Sequence, residues 1–156
     1  MVTLLSGISE ANACPGGSGK KKLTNATLNI TNASYGDFDD DGFIDDIEII
    51  AELVFDGAVN QKRRIHSWLF CFIETPSGDI YYFYFNIRFS LESTHITFII
   101  TAYNTAKESG WYQIDLFCLL LNLPPRCRSL VVHDSEIFDP PTGQGSGDPT
   151  AKLVFF

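Results

Sequence analysis

Charged residues are scarce in this sequence, and basic residues are the scarcer kind. Asp, Glu, Lys and Arg make up 19% of the 156 residues, and 11 basic against 19 acidic side chains give a formal net charge of -8. This balance disfavours a phosphate backbone as a partner and favours cations, metal ions above all. We therefore expect no nucleic-acid partner. Because 45% of the residues are hydrophobic, we expect a folded globular chain rather than a disordered one.

Long apolar runs and catalytic motifs are also missing. Polar residues interrupt every hydrophobic stretch before it reaches the length of a membrane span. The sequence has no nucleophile elbow and no Gly-rich phosphate loop. Its triad-type residues, His133, Asp134 and Ser135, are chain neighbours, whose side chains would alternate between opposite faces of a strand. We expect neither a membrane span nor enzymatic activity.

Alternation of apolar and polar residues with a period of two predicts β-strands. The clearest strand covers Ile80–Phe89 and follows a turn at Pro76–Asp79. Phe43–Phe55 fits a strand or a short helix, and we choose the strand because its neighbours are strands. The other predicted strands are Leu23–Ser34, Ile65–Glu74, His95–Tyr103, Trp111–Leu121 and Arg128–Phe138. About seven strands predict an all-β fold, an antiparallel β-sandwich.

Two Gly-rich linkers divide the chain into three parts. Residues 1–22 contain an N-terminal tail and a Gly/Lys-rich linker, and residues 23–139 contain the predicted sandwich. Residues 140–156 contain a Gly/Pro-rich linker and a last apolar strand candidate.

Lys107–Tyr112 runs directly into the strand that carries Cys118 and resembles the corner before strand F of immunoglobulin-like domains. In that family a tyrosine hydroxyl ties the turn to the backbone, so the resemblance implies this role for Tyr112. The cysteine lies six residues after Tyr112 rather than two. The resemblance therefore implies an immunoglobulin-like architecture, not membership of the antibody superfamily.

The four cysteines lack the short paired spacings of a zinc site. Cys71 and Cys118 each share a strand face with apolar residues, so we expect both in the core, joined as a disulfide across the two sheets. Cys14 and Cys127 would then form a second disulfide. Free buried thiols at Cys71 and Cys118 are the alternative.

The sharpest motif, Asp37–Glu48, resembles an EF-hand-type calcium loop. Gly42 stands where that loop bends sharply, and calcium takes about six to eight oxygens. The predicted ligands are Asp37, Asp39, Asp41, the carbonyl of Phe43, Asp45 and Glu48. An acidic surface turn without metal is the alternative.

The segment before this loop is strand-like, which argues against a helix-based EF-hand sensor. The loop also resembles the acidic calcium loops of extracellular repeat proteins, in which the ion is structural. If a strand begins near Phe43, Glu48 points away and Asp45 or Asp46 completes the metal shell. We expect calcium to stabilise the loop between the first two core strands.

Three glycosylation sequons, at Asn25, Asn29 and Asn32, favour an extracellular or cell-surface location. Ala11–Ala13 resembles a signal-peptidase site, but Glu10 interrupts the apolar stretch before it and there is no basic n-region. An N-terminal strand or tail is the alternative interpretation of these residues.

Apolar side chains also fall on strand faces that should meet water, so we expect a partner to cover them. The predicted interface residues are Trp68, Phe70, Phe72, Tyr82 and Tyr84 on the strands, and Leu153, Val154, Phe155 and Phe156 in the C-terminal tail. The favoured hypothesis is a secreted structural subunit that forms a filament or surface fibre by exchange of terminal strands. The alternative is a calcium-containing adhesion module that binds carbohydrate through its aromatic residues.

Overall fold

The computed structural model describes residues 25–56, 64–90, 94–121, 123, 129–140, 145 and 147–156. These residues contain no helix long and apolar enough to cross a membrane. They form eight strands: β1 Asn25–Gly36, β2 Asp46–Asp56, β3 Arg64–Glu74, β4 Ile80–Ser90, β5 His95–Tyr103, β6 Tyr112–Leu121, β7 Ser129–Phe138 and β8 Thr150–Phe155.

The eight strands form two four-stranded sheets. The first sheet has the order β1-β2-β5-β8 and the second has the order β4-β3-β6-β7. Every pair of neighbours is antiparallel. This arrangement confirms the predicted all-β antiparallel sandwich.

The core lies between the inward faces of the two sheets. In β2 every second residue from Ile47 to Phe55 is buried, and the intervening side chains are only partly covered. The strand predicted over Phe43–Phe55 is therefore confirmed, and the helix alternative is wrong. In β4, Tyr81, Phe83 and Phe85 point towards the core, whereas Tyr82 and Tyr84 point outwards, as the alternation predicted.

β1 and β7 contact each other beside a bulge. The register of β1 against β2 shifts between Ile30 and Asn32, which leaves Thr31 as the extra residue. The backbone N–H of Ile30 donates to Asp134 Oδ2 at 2.6 Å. His133, the neighbour of Asp134, is exposed and contacts Asp115, so the two neighbouring side chains have different partners.

The predicted disulfide between Cys71 and Cys118 is wrong, because both residues are free buried thiols. Cys71 lies on β3 and Cys118 on β6, adjacent strands of one sheet, where Cys118 is opposite Leu69. Such diagonal neighbours are about 7–8 Å apart, beyond the reach of a disulfide. Burial raises the pKa of Cys71 to about 12 and that of Cys118 to about 11. Cys14 and Cys127 lie outside the described residues.

Candidate metal centre

The loop between β1 and β2 is folded around its own carboxylates. Asp37 accepts hydrogen bonds from the backbone N–H groups of Asp41 and Gly42, at 3.1 and 3.0 Å. Gly42 has a φ of 92°, a conformation that side chains disfavour, which explains why glycine stands at this bend. The loop therefore reverses direction within a few residues and turns its acidic side chains towards one point.

Three carboxylates gather at that point. Oxygen atoms of Asp37, Asp39 and Asp46 all lie within 4.8 Å of one another. Asp46 is buried at the first position of β2 and accepts from the N–H groups of Phe38, at 2.7 Å, and Asn104, at 2.9 Å. Asp46 is thus held by the loop on one side and by the β5–β6 connection on the other. We call these three residues the aspartate triad.

Like charges at this spacing repel one another. Desolvation, followed by the charges of Asp46 and Asp41, raises the pKa of Asp39. A bound cation would remove this repulsion, and an all-oxygen donor set suits a hard ion. The aspartate triad could therefore hold a metal ion.

Only some of the predicted calcium ligands belong to the aspartate triad. Asp37 and Asp39 belong to the aspartate triad, whereas Asp41 accepts from the N–H of Phe43 at 2.8 Å. The Phe43 side chain is exposed, and Asp45 is fully buried without belonging to the aspartate triad. Glu48 lies on β2, paired with Ser34 on one side and Thr101 on the other. Asp46, the first residue of β2, is the third member of the aspartate triad, whereas Glu48 is not part of it.

The corner before β6 carries the predicted tyrosine contact. The Tyr112 hydroxyl donates to the carbonyl of Glu108 at 2.9 Å and accepts from the N–H of the same residue at 3.1 Å. The Glu108 carboxylate accepts from the hydroxyl of Ser77 at 2.7 Å. The corner is thereby joined to the β3–β4 turn at the end of the molecule where the aspartate triad lies.

The outward side of the second sheet is rich in aromatic rings. Tyr82 stacks on Tyr84 with centroids 6.3 Å apart and planes 21° apart, and Tyr84 stacks on Trp68 at 6.5 Å and 26°. Half or more of the surface of each tyrosine is exposed. We call this surface the aromatic face; it consists of Trp68, Phe70, Phe72, Tyr82, Tyr84 and Phe117. The five strand residues predicted for an interface all belong to it.

The C-terminal strand candidate forms β8 and pairs with β5. Ala151 and Leu153 pack against the core, and the ring of Phe155 meets that of Phe98 at 6.5 Å. Val154 and Phe156 are exposed. The strand prediction for this tail is confirmed, with the tail docked on its own sheet.

The three sequon asparagines, Asn25, Asn29 and Asn32, are all exposed on β1, an edge strand of the first sheet.

Comparisons of the chain with protein-family models, with curated proteins and with solved structures find no match.

Proposed function

We propose that this chain is a calcium-stabilised structural subunit of an extracellular filament or surface fibre, and that copies assemble by exchanging β8. The observation that carries the proposal is the position of β8. It forms an edge of the first sheet in the described part of the chain, yet it packs apolar side chains against the core. It is separated from β7 by residues 139–149.

Exchange of β8 would replace its contacts with identical ones in another copy. The pairs between β5 and β8, from Phe98–Phe155 to Tyr103–Thr150, would form in the same register. The core contacts of Leu153 would likewise be preserved. Swapping an identical element is a low-cost route to association, and a heterologous contact of this kind that does not close into a ring extends as a filament.

Calcium is the ion that best suits the aspartate triad. Its donors are all oxygens, and the loop sequence fills the acidic positions of a calcium loop. A weak extracellular site, with a dissociation constant of about 0.1–1 mM, would be filled outside the cell. The exposed sequons on β1 are consistent with that location.

Strand order and the Tyr112 corner support an immunoglobulin-like architecture. The first, second and fifth strands share one sheet, and the third, sixth and seventh share the other, as in that family. β4 pairs with β3, which leaves the place beside β5 to β8. Because a separate segment after β7 supplies this edge strand, β8 of a neighbouring copy could also fill the same edge.

A reversible lock on β8 tests the exchange. Ile99 and Val154 are opposite each other and point outwards, and the double variant Ile99→Cys/Val154→Cys would join β5 to β8. We expect the oxidised variant to remain monomeric in calcium and the reduced variant to form polymers. Light scattering after size exclusion, together with negative-stain imaging, measures both states.

The single variant Ile99→Cys is the matched control and should polymerise under both redox conditions. Polymers of equal length from the oxidised double variant would overturn exchange of β8. Monomers of the wild-type chain with calcium and with chelator would overturn assembly itself.

A second candidate function is carbohydrate binding by the aromatic face. It is favoured by the stacked rings of Trp68, Tyr82 and Tyr84, which offer a flat apolar platform. Polar groups of Asn86, opposite Trp68, and Asp115, opposite Phe72, stand beside these rings as hydrogen-bonding partners.

A glycan array with wild-type chain and two variants tests this function. Tyr82→Ala should abolish the signal, whereas Tyr103→Ala, which changes a tyrosine of the other sheet, should preserve it. Removal of residues 150–156 should also preserve binding. No signal from the wild-type chain, or an equal signal from Tyr82→Ala, would contradict the candidate.

A further inference from the structure

The Asp45 carboxyl lacks a hydrogen-bonding partner in the part of the chain that the structure describes. Its side chain is fully buried, and no described residue donates to either carboxylate oxygen. A buried carboxylate is normally paired, hydrogen-bonded or bound to a metal. Its surroundings therefore have to supply a positive charge when it is ionised.

Asn104 adds a third acceptor at the same end of the molecule. Its Oδ1 atom is buried and likewise has no partner among the described residues. The backbone of Asn104 has a φ of 56° and donates its N–H to Asp46, which fixes the residue next to the start of β2. The N–H groups of the next two residues, Thr105 and Ala106, donate to the carbonyl of Asp45. The two unsatisfied side chains therefore belong to adjoining segments.

The polar groups nearby do not neutralise this site. The ammonium group of Lys107 donates to the carbonyl of Gly147, and no ion pair with Asp45 forms among the described residues. Reversal of the Asn104 amide would offer a neutral donor and leave the carboxylate charge uncompensated. An oxygen-only site of this kind suits a hard cation.

Two glycines of the segment that leads to β8 lie over these oxygens. A Cβ atom at Gly145 would overlap the Asp45 carboxylate, and one at Gly147 would overlap the Asn104 amide. Only glycine lets the backbone approach this closely. β8 begins at Thr150, three residues after Gly147. An ion held by Asp45 and Asn104 would therefore lie directly beneath the approach to β8.

We propose that Asp45 and Asn104 form a second cation site, separate from the aspartate triad, that takes a hard divalent ion such as calcium and fixes the segment leading to β8. Asp45 directly precedes β2, whereas Asp46 is its first residue and belongs to the aspartate triad. The proposal does not depend on whether the chain polymerises.

The first test compares the Tm of Asp45→Asn with that of the wild-type chain, once in chelator and once in calcium. Without metal, Asp45→Asn removes an uncompensated charge, so its Tm in chelator should exceed that of the wild-type chain. With saturating calcium the wild-type chain gains from the second site, and its calcium-induced rise in Tm should exceed that of Asp45→Asn by about 2–5 °C. Asn104→Gly keeps the left-handed backbone and should also lose part of the calcium-induced rise.

Asp40→Asn is the matched control, because Asp40 is exposed, has a φ of 61° and belongs to neither site. Its calcium-induced rise should equal that of the wild-type chain. A full calcium-induced rise in both Asp45→Asn and Asn104→Gly would overturn the second site.

Calcium counts by equilibrium dialysis separate the two sites. We expect two ions for the wild-type chain, and one each for Asp45→Asn and for Asp37→Asn/Asp39→Asn. If the wild-type chain binds a single ion and only Asp45→Asn loses it, the result supports this proposal and refutes the calcium loop. If the wild-type chain binds a single ion and the Asp37→Asn/Asp39→Asn variant loses it, the second site is overturned, whether or not Asp45→Asn also loses the ion.

Hydrogen exchange tests the link to β8. Calcium should slow exchange of the Phe156 N–H, which donates to Thr97, in the wild-type chain but not in Asp45→Asn. Equal slowing in both would refute the role in fixing this segment.

Discussion

On the outer side of the second sheet, Phe70 is paired with Tyr84 and with Phe117. On the outer side of the first sheet, the equivalent rows pair Glu48 with Thr101 and Glu52 with Thr97. Aliphatic residues such as Ile50 stand between these polar pairs. Both sheets thus use the same alternation for their inward residues, but their outward residues differ in chemistry.

This difference separates the requirements of folding from those of binding. Either set of outward residues is compatible with a strand, because aromatic and β-branched side chains both have high strand propensity. Cross-strand aromatic pairs contribute about 0.5–1.5 kcal/mol beyond the area they bury. Contact with water, however, favours the polar outward residues of the first sheet. A continuous exposed apolar surface usually marks a contact site. The aromatic face is therefore the side of the sandwich on which we expect a partner.

The largest expected difference in stability is between variants of two neighbouring residues of β3. Leu69 is fully buried, and Phe70 is partly exposed on the aromatic face. Leu69→Ala should lower the free energy of unfolding by about 2–5 kcal/mol, and Phe70→Ala by about 1 kcal/mol, because water already reaches the ring. Urea denaturation measures both changes, with Ile50→Ala as the outward control on the first sheet. An equal loss for Leu69→Ala and Phe70→Ala would mean that the aromatic face is covered in the free chain.

Local patterns predicted the faces of the strands better than the partners of the strands. Alternation placed Ile47 inside and Tyr82 outside, since a side chain's face depends only on its position along one strand. The disulfide between Cys71 and Cys118 failed because alternation identifies the inward face but not the sheet. Pairing between β3 and β6 is set by contacts distant in sequence.

The metal centre shows the same limit. The acidic loop identified Asp37 and Asp39, while the choice between Asp46 and Glu48 depended on where β2 begins. Asn104 carries no motif of its own. Its nearness to Asp45 follows from the β5–β6 connection, which the pattern around Asp37–Glu48 does not contain.

The two sheets should also respond differently to acid. The Ser77 hydroxyl, which joins the β3–β4 turn of the second sheet to Glu108, lowers the pKa of Glu108; desolvation raises the pKa of Asp39 beside the first sheet. The contribution of Glu108 is present above its unfolded pKa and is lost as pH falls through its lower folded pKa. The ionised form of Asp39 destabilises the fold, so protonation relieves this effect as pH falls through the raised pKa.

In chelator at neutral pH, Glu108→Gln should therefore lower Tm and Asp39→Asn should raise it. Both differences from the wild-type chain should shrink towards pH 3, which thermal unfolding between pH 3 and 7 measures. Shifts of the same sign at neutral pH would contradict the assignment of opposite electrostatic roles.

The smallest effects should come from two exposed pairs, one on each outer face. His95 contacts Glu52 at 3.3 Å on the first sheet, and His133 contacts Asp115 at 3.1 Å on the second. The ring of His133 also stacks on Phe117 with centroids 4.2 Å apart. Exposed pairs contribute about 0–1 kcal/mol, so Glu52→Gln and Asp115→Asn should each cost less than about 1 kcal/mol in urea denaturation. At a pH where the histidines are protonated, raising the salt concentration should reduce both effects. Salt fails to screen a charge pair only where the pair is desolvated. A larger loss of unfolding free energy for Asp115→Asn alone, unchanged by salt, would therefore show that water is excluded from the aromatic face before any partner binds.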